Sequence, residues 1–241
     1  MIASSPYSPL IPSCTGVALI ACDVLSLEIE AILSTVPAPR PTLRILQQGL
    51  HNDPPKLRVE LQNLVDSLER DTSPHTIVFV YGLCSRGIEG VVAERARLIA
   101  PRAHDCITLL LGSKEKYRDY AAAHPGTYWY SPGWNRCHTP PGPERHQKLR
   151  DAYVAKYGEE DADFLMETEQ QWFAHYDRAT YVDLGLSPTA DDERFTQDSA
   201  AWLKWSYDRQ HGDPTLLRDL LLGPWTDTDR FLIAPRGGGG R

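Results

Sequence analysis

Three cysteines in this chain are spaced so that they can converge on one metal site. Cys22 follows an apolar run typical of a buried strand, and Cys84 lies in a Gly-x-Cys-x-x-Gly turn that follows another such run. Cys106 comes two residues after a histidine, near the start of a further segment. Because ligands bind at the carboxyl ends of the strands in open α/β sheets, thiols from these turns are expected to meet there. Three thiolates can hold a [4Fe-4S] cluster and leave one iron open as a Lewis acid.

The same cysteines allow other interpretations. Together with His104, they have the ligand types of a tetrahedral zinc site. Free cysteine is also among the most buried residue types, so each thiol can simply be part of the core beside a small-molecule cleft. We interpret Cys14 and Cys137 as bystanders, because one lies in a loose leader and the other in a proline-rich loop.

Five further residues are predicted to take part in the site. His51 and Asn52 precede a helix N-terminus, where an imidazole that titrates near neutral pH can orient or protonate a substrate. Their alternative role is to satisfy backbone groups at the helix start. Gly82 and Gly87 are predicted to bind the cofactor, since glycine takes positive φ and lets the backbone approach a ligand. Ser113, which can cap a helix, completes the predicted cofactor-binding residues.

Strands and helices alternate along the chain. Apolar runs predict strands at residues 16–21, 42–46, 76–81, 97–100, 127–130, 180–184 and 231–234. Helical spacing, caps and punctuation predict helices at residues 23–33, 54–68, 88–96, 113–123, 143–157, 159–176 and 191–209. This order predicts an α/β fold with a mainly parallel sheet, flanking helices and a helix-rich C-terminal part.

Composition predicts one domain and excludes some classes of partner. We expect a loose leader at residues 1–15, a single α/β domain at 16–236 with a helical elaboration from about 143, and a flexible tail at 237–241. A net charge of −7 argues against a nucleic-acid partner, because phosphate contacts need clustered basic residues. Since no apolar stretch reaches about 18 residues, we expect no membrane association and a cytoplasmic protein with reduced thiols.

Short motifs follow one another in order from residue 17 to residue 237. They are Ala21-Cys22, Leu50-His51-Asn52-x-Pro54, Tyr81-Gly82-x-Cys84, His104-x-Cys106 with Leu110-Leu111-Gly112-Ser113, Pro125-Gly126-Thr127, Ser131-Pro132-Gly133-Trp134, and Leu221-Leu222-Gly223-x-Trp225 with Phe231-Leu232. In this order the motifs resemble an uncharacterised family, domain of unknown function 1638. That family is found beside corrinoid-dependent methyltransferase components, so the resemblance implies a link to one-carbon metabolism by association.

Two functional hypotheses follow. The first is a metal-dependent enzyme of lyase or desulfurase type, in which a [4Fe-4S] cluster on Cys22, Cys84 and Cys106 binds a small-molecule substrate. Its site plan is similar to that of thiouracil desulfidases, which hold such a cluster with an open iron. The second is a non-catalytic accessory protein that handles a corrinoid or a metal for methyl transfer and binds a corrinoid protein. There, His51 or His104 would be the metal ligand, and the cysteines would carry zinc or nothing.

Overall fold

A computed structural model describes residues 14–83, 86–186 and 189–237. The strands in these ranges are β1 (Val17–Cys22), β2 (Thr42–Leu46), β3 (Thr76–Val80), β4 (Arg97–Pro101), β5 (Thr127–Tyr130), β6 (Arg178–Asp183), β7 (Ser206–His211) and β8 (Phe231–Ala234). The α-helices are α1 (Ser26–Ser34), α2 (Pro54–Asp71), α3 (Cys106–Leu111), α4 (Lys114–Ala123), α5 (Pro132–Cys137), α6 (Pro143–Tyr157), α7 (Glu159–Gln170), α8 (Ala190–Leu203) and α9 (Thr215–Leu222). Short 3-10 helices cover Asp23–Leu25, Leu50–Asn52 and Gln171–His175.

The strands form two sheets. The large sheet has the order β2-β1-β3-β4-β8, in which the first four strands are parallel and β8 runs antiparallel along the edge of β4. The small sheet has the order β5-β6-β7 and is wholly parallel. The predicted α/β fold with mainly parallel strands is confirmed, whereas the division into two sheets was not predicted from the sequence.

The interior strand β1 is buried on both of its faces, as expected for a parallel strand between helical layers. Leu19 and Ala21 pack in a core that includes α1 and α9. Ala18, Ile20 and Cys22 pack in a second core, on the opposite face, with the apolar stripe of α2. The alternation therefore places the Cys22 side chain on the α2 side of the sheet.

The helix predicted at residues 88–96 is wrong, because side chains of α2 hold this segment in an irregular conformation. The backbone N–H groups of Glu94, Arg95 and Ala96 donate to the Glu69 carboxylate at 3.1, 2.7 and 2.8 Å. Gln62 exchanges two hydrogen bonds with the backbone of residue 92, at 2.9 and 3.0 Å. The backbone groups of this segment, which a helix would pair with one another, are thus hydrogen-bonded to side chains that are distant in the sequence.

Two predicted helices also end earlier than expected. The helix predicted at 191–209 stops at Leu203, where Lys204 turns to a positive φ of 60° and the chain continues into β7. The helix predicted at 159–176 becomes a 3-10 helix after Gln170. The sequence patterns predict no helix at the positions of α3, α5 and α9. None of the helices in the described ranges is long and apolar enough to cross a membrane.

We expect Glu69→Ala to lower the free energy of unfolding by about 3 kcal/mol, because three backbone N–H groups lose their acceptor in a buried place. Burial alone would raise the pKa of Glu69, but the same three N–H groups and Arg95 lower it, so the carboxylate stays ionised. Urea denaturation at pH 7 measures the loss. Asn63→Ala, at an exposed position of the same helix, is the control and is expected to stay within about 0.5 kcal/mol of the wild type. Equal stability of the two variants would contradict this role of Glu69.

Candidate metal and substrate site

Two of the three predicted ligand cysteines meet at the carboxyl edge of the large sheet. Cys22 is the last residue of β1 and is 3% exposed. Cys106 is the first residue of α3, in the connection that follows β4, and is partly buried. Tyr81, directly after β3, packs in the same core as both cysteines. The edge therefore presents two thiols and one phenol close together.

A close approach of two backbones brings the β3 and β4 connections together. A Cβ atom on Gly82 would lie 2.3 Å from the Cα atom of Asp105, so only glycine fits there. The next residue, Leu83, donates its N–H group to the carbonyl oxygen of Ala103 at 2.9 Å. The expectation that Gly82 takes a positive φ is wrong, since its backbone lies outside that region. Glycine is required here because the backbone of Asp105, next to Cys106, leaves no room for a side chain.

The local environment of Cys22 favours its thiolate form. A hydrogen bond from Cys106 is the largest influence and lowers the pKa of the Cys22 thiol. Burial opposes it, the N–H group of Val24 lowers the pKa further, and the negative charge of Asp23 raises it. The net direction is downward, which suits a thiol that must ionise before it can bind a metal.

The Tyr81 hydroxyl group is buried beside these thiols. Burial is the main reason why its pKa is raised far above the usual value, and negative charge on Cys22 and Cys106 raises it further. The hydroxyl lies near enough to Cys22 to favour the thiolate, but it makes no hydrogen bond of regular geometry with any group in the described ranges. A buried donor left in this condition costs free energy unless another group satisfies it.

Helix α5 brings a further cysteine to the same place. A Cβ atom on Gly133 would lie 1.9 Å from the carbonyl oxygen of Val24, so α5 rests directly on the 3-10 helix after β1. Trp134 and Cys137 consequently pack against the core that contains Cys22. The sequence indicates a bystander in a loop for Cys137, whereas the structure places it at the end of a helix beside the candidate ligands.

Cys137 remains a neutral thiol in this setting. Burial, followed by the negative charges of Asp23 and Cys22, raises its pKa to about 12. The signal that could have found it is the start of α5, where the Ser131 hydroxyl accepts a hydrogen bond from the N–H group of Trp134 at 3.1 Å. Ser-Pro directly after a strand is a helix start, and it would have identified another strand-to-helix turn that carries a cysteine.

His51 lies at the rim of this region. It is half-buried in the 3-10 helix after β2, and burial lowers its pKa, so the imidazole is neutral at pH 7. The pKa of His138, after α5, is lowered by burial, then by Arg145 and by His51, so the two histidines lie within electrostatic range of each other. The His138 ring lies 4.5 Å from that of Trp134. Asn52 is exposed next to His51.

His104 takes a different position. Its side chain is 67% exposed, its Nδ1 atom lies 3.1 Å from Oδ2 of Asp105, and its ring stacks on Tyr117 at 5.5 Å. Asp105 also caps α3, because its carboxylate accepts a hydrogen bond from the N–H group of Thr108 at 2.9 Å.

The remaining predicted residues are placed as follows. The Ser113 hydroxyl caps α4, because it accepts from the N–H groups of Glu115 and Lys116 at 3.1 Å each and donates to the Glu115 carboxylate. Gly87 is buried. Cys84 lies outside the described residues. In the described ranges, which omit it, no three His, Cys, Asp or Glu side chains are arranged to hold a metal ion.

A buried carboxyl group lies where the two sheets meet. Glu28, in the first turn of α1, is 5% exposed, and one of its oxygens has no hydrogen-bond partner in the described ranges. Burial raises its pKa to about 7, against the positive charge of Arg136 and together with the negative charges of Asp183 and Asp192. Asp183 ends β6 and pairs with Arg209 at 3.1 Å. The carboxyl edge of the small sheet is thus rich in charge, whereas that of the large sheet carries thiols.

Comparison with known proteins identifies a family. Residues 45–221 match the family described as "Protein of unknown function (DUF1638)", which is more than half of the chain. The chain belongs to the DUF1638 family. No curated protein and no solved structure matches it. The DUF1638 match contains His51, Cys84, Cys106 and Cys137, while Cys22 on β1 precedes it.

We expect Glu28→Gln to flatten the pH dependence of stability between about pH 5 and pH 8. The folded protein holds the Glu28 proton more tightly than the unfolded chain, so wild-type stability falls as the pH rises from the normal value of 4.5 through about 7. A pKa shift of this size corresponds to ~3 kcal/mol in the free energy of unfolding. The Glu28→Gln variant does not lose this amount as the pH rises, because glutamine does not ionise. Urea unfolding at pH 5 and pH 8 measures this difference. Glu30→Gln, at an exposed position of the same helix, should keep the wild-type slope, and an unchanged slope in Glu28→Gln would refute the assignment.

Proposed function

We propose that this protein is a metal-dependent enzyme that acts on a small molecule through a three-cysteine site. The observation that carries the proposal is the meeting of the Cys22 and Cys106 thiols, with a lowered pKa of Cys22, at the carboxyl edge of a parallel sheet. In open α/β sheets this edge is where ligands bind. The reaction class is lyase-like or desulfurase-like.

The residues present fit a sulfur-ligated group. Thiolates are soft ligands, which favour iron–sulfur clusters, zinc or copper(I) over hard cations. The Tyr81 hydroxyl is a buried donor without a regular partner beside both thiols, and a bound sulfide or thiolate would supply an acceptor there. A [4Fe-4S] cluster is the group that three thiolates hold while one iron stays open, and it would supply a Lewis acid.

Cys84 enters the proposal from the sequence. The chain leaves the described residues at Leu83, whose N–H group is bound to Ala103 in the connection that leads to Cys106. We assign the third thiolate to Cys84 because in the sequence it follows the apolar run of β3, within a Gly-x-Cys-x-x-Gly pattern.

His51 and Cys137 are the groups that can hold protons beside this site. The neutral His51 imidazole can accept a proton from a substrate, and Cys137 stays protonated because its pKa is about 12. Asn52, exposed next to His51, is proposed to orient the substrate. In this role His51 accepts a proton and Asn52 orients the substrate, and the metal group would supply the electrophile.

Metal analysis of protein purified without oxygen tests this function. We expect about four iron and labile sulfide per chain with broad visible absorption. Cys22→Ala and Cys106→Ala should each lose most of the iron, because a thiolate ligand is removed. Cys14→Ala is the matched control, since Cys14 is also buried but packs in the core on the α1 side of the sheet, and it should keep the wild-type iron content.

Wild-type protein without iron and sulfide, or iron retained in both site variants, would overturn the cluster. Zinc in place of iron would indicate a hydrolytic or accessory zinc site. A spectral shift on titration with cobalamin, in protein that holds no iron, would favour the corrinoid-handling function instead. Circular dichroism of each variant separates the loss of a ligand from the loss of the fold.

A further inference from the structure

A polar cavity of about 370 Å³ opens beside α5, next to the cysteine site. Its lining includes Asn135, Arg136 and Cys137 of α5, His138, and Glu144 with Lys148 of α6. Its volume lies at the lower end of the range for small-molecule sites, about 300–1,000 Å³. Cys137 connects the two regions, because it lines the cavity and also packs against the core that contains Cys22.

Arg136 is held rigidly at one side of the cavity. Its Nε and Nη2 atoms donate to the two carboxylate oxygens of Asp192 at 3.1 and 2.5 Å, and Asp192 is 8% exposed. This pair fixes the plane of the guanidinium group and leaves the N–H groups of Nη1 for another acceptor, since none of the described residues accepts from them. A preorganised fork of this kind suits a planar or tetrahedral oxyanion.

Lys148 provides a second, mobile cation. Its ammonium group lies 2.5 Å from the Glu144 carboxylate one helical turn earlier, and both side chains are more than half exposed. Exposed pairs of this kind contribute little to stability, so Lys148 can exchange Glu144 for a ligand at small cost. Asp192 neutralises the charge of Arg136, and His138 is neutral, so neither supplies a free positive charge to the cavity. When Lys148 leaves Glu144 for the ligand, its ammonium group provides the positive charge that a bound anion requires.

Asn135 adds an unsatisfied acceptor. Its amide nitrogen donates to the backbone oxygen of Asp192 at 3.0 Å and to the Thr196 hydroxyl at 3.2 Å, which fixes the orientation of the amide. Its Oδ1 atom is buried and has no partner within the described ranges. A buried carbonyl oxygen without a partner costs free energy, and an O–H or N–H donor of a ligand that reached it would remove this cost.

We infer that this cavity binds a small molecule with an oxyanion group, a carboxylate or a phosphate, and an adjacent hydrogen-bond donor. Arg136 and Lys148 hold the oxyanion, and the Asn135 carbonyl oxygen accepts from the donor. The inference rests on the proposed function, because it makes this molecule the substrate and directs its remaining part past Cys137 toward the cysteine site. It names the substrate class that the cysteine chemistry alone left open.

Calorimetric titration of the anaerobically purified full chain tests the inference, with glycolate and inorganic phosphate as probes and ethylene glycol as the uncharged comparison. Ionic strength and pH stay constant. We expect one of the two anions to bind and ethylene glycol not to bind. The anion that binds identifies the oxyanion, and absence of binding by both would overturn the inference.

Two variants of α6 are expected to act in opposite directions. Lys148→Met keeps the aliphatic stem but removes the charge, and it should weaken binding about tenfold, as loss of a charge-assisted hydrogen bond does. Glu144→Gln removes the competing carboxylate and should strengthen binding. Lys156→Met, at another exposed position of the same helix that does not line the cavity, should bind as the wild type does. Binding that is unchanged in both Lys148→Met and Glu144→Gln would overturn the assignment.

The iron content of the same preparations separates this inference from the proposed function. Iron-loaded protein that binds neither anion overturns the cavity alone. Anion binding with the expected response to Lys148→Met, in protein without iron, supports the cavity and overturns the cluster.

Discussion

The junction between the two sheets depends on backbone contacts that leave no room for a side chain. A Cβ atom on Gly133 would lie 1.9 Å from the carbonyl oxygen of Val24, and one on Gly212 would lie 2.4 Å from that of Leu110. Each contact joins a segment that follows a strand of the small sheet to a segment that follows a strand of the large sheet. The carboxyl edges of both sheets therefore face a common region, and the thiols, histidines and buried carboxyl groups owe their proximity to this constraint.

Two environments with opposite character meet in that region. Cys22, Tyr81 and Cys106 lie against an apolar core, where burial raises the pKa of Tyr81 and a hydrogen bond from Cys106 lowers that of Cys22. A few residues away, Arg136 and Asp192 form a charged edge with open polar space. In the proposed function, such a boundary would separate the binding of a polar ligand from the chemistry of sulfur ligands, because each needs a different dielectric surrounding.

The parts of the fold that the sequence predicted are those with a local cause. The strands with apolar runs between turn residues were predicted well, and so was α2, because its stripe of apolar residues has helical spacing. The segment at 88–96 failed because its conformation is set by Glu69, a residue distant in the chain. Strand β7 failed because its polar sequence lies half-exposed at the edge of the small sheet and lacks an apolar signal.

The residues of the candidate site also divide into those that a local sequence pattern predicts and those that it does not. The meeting of Cys22 with Cys106 could be predicted, since both flank strands of one parallel sheet. The Ser-Pro helix start could place Cys137 at a strand-to-helix turn, but the approach of Cys137 to Cys22 and the burial of Glu28 depend on how the second sheet docks on the first. A single sequence has no local pattern for that docking, and the decisive contact at Gly133 is visible only as one more glycine.

The edge strand β8 has a consequence for the order in which the molecule is assembled. It pairs with β4 so that Phe231 lies opposite Pro101, across a large part of the chain. During synthesis, β4 remains an open edge until the chain through Ala234 has been made, and unpaired edges attract other strands. The edge of β4 is therefore the last part of the large sheet to be covered.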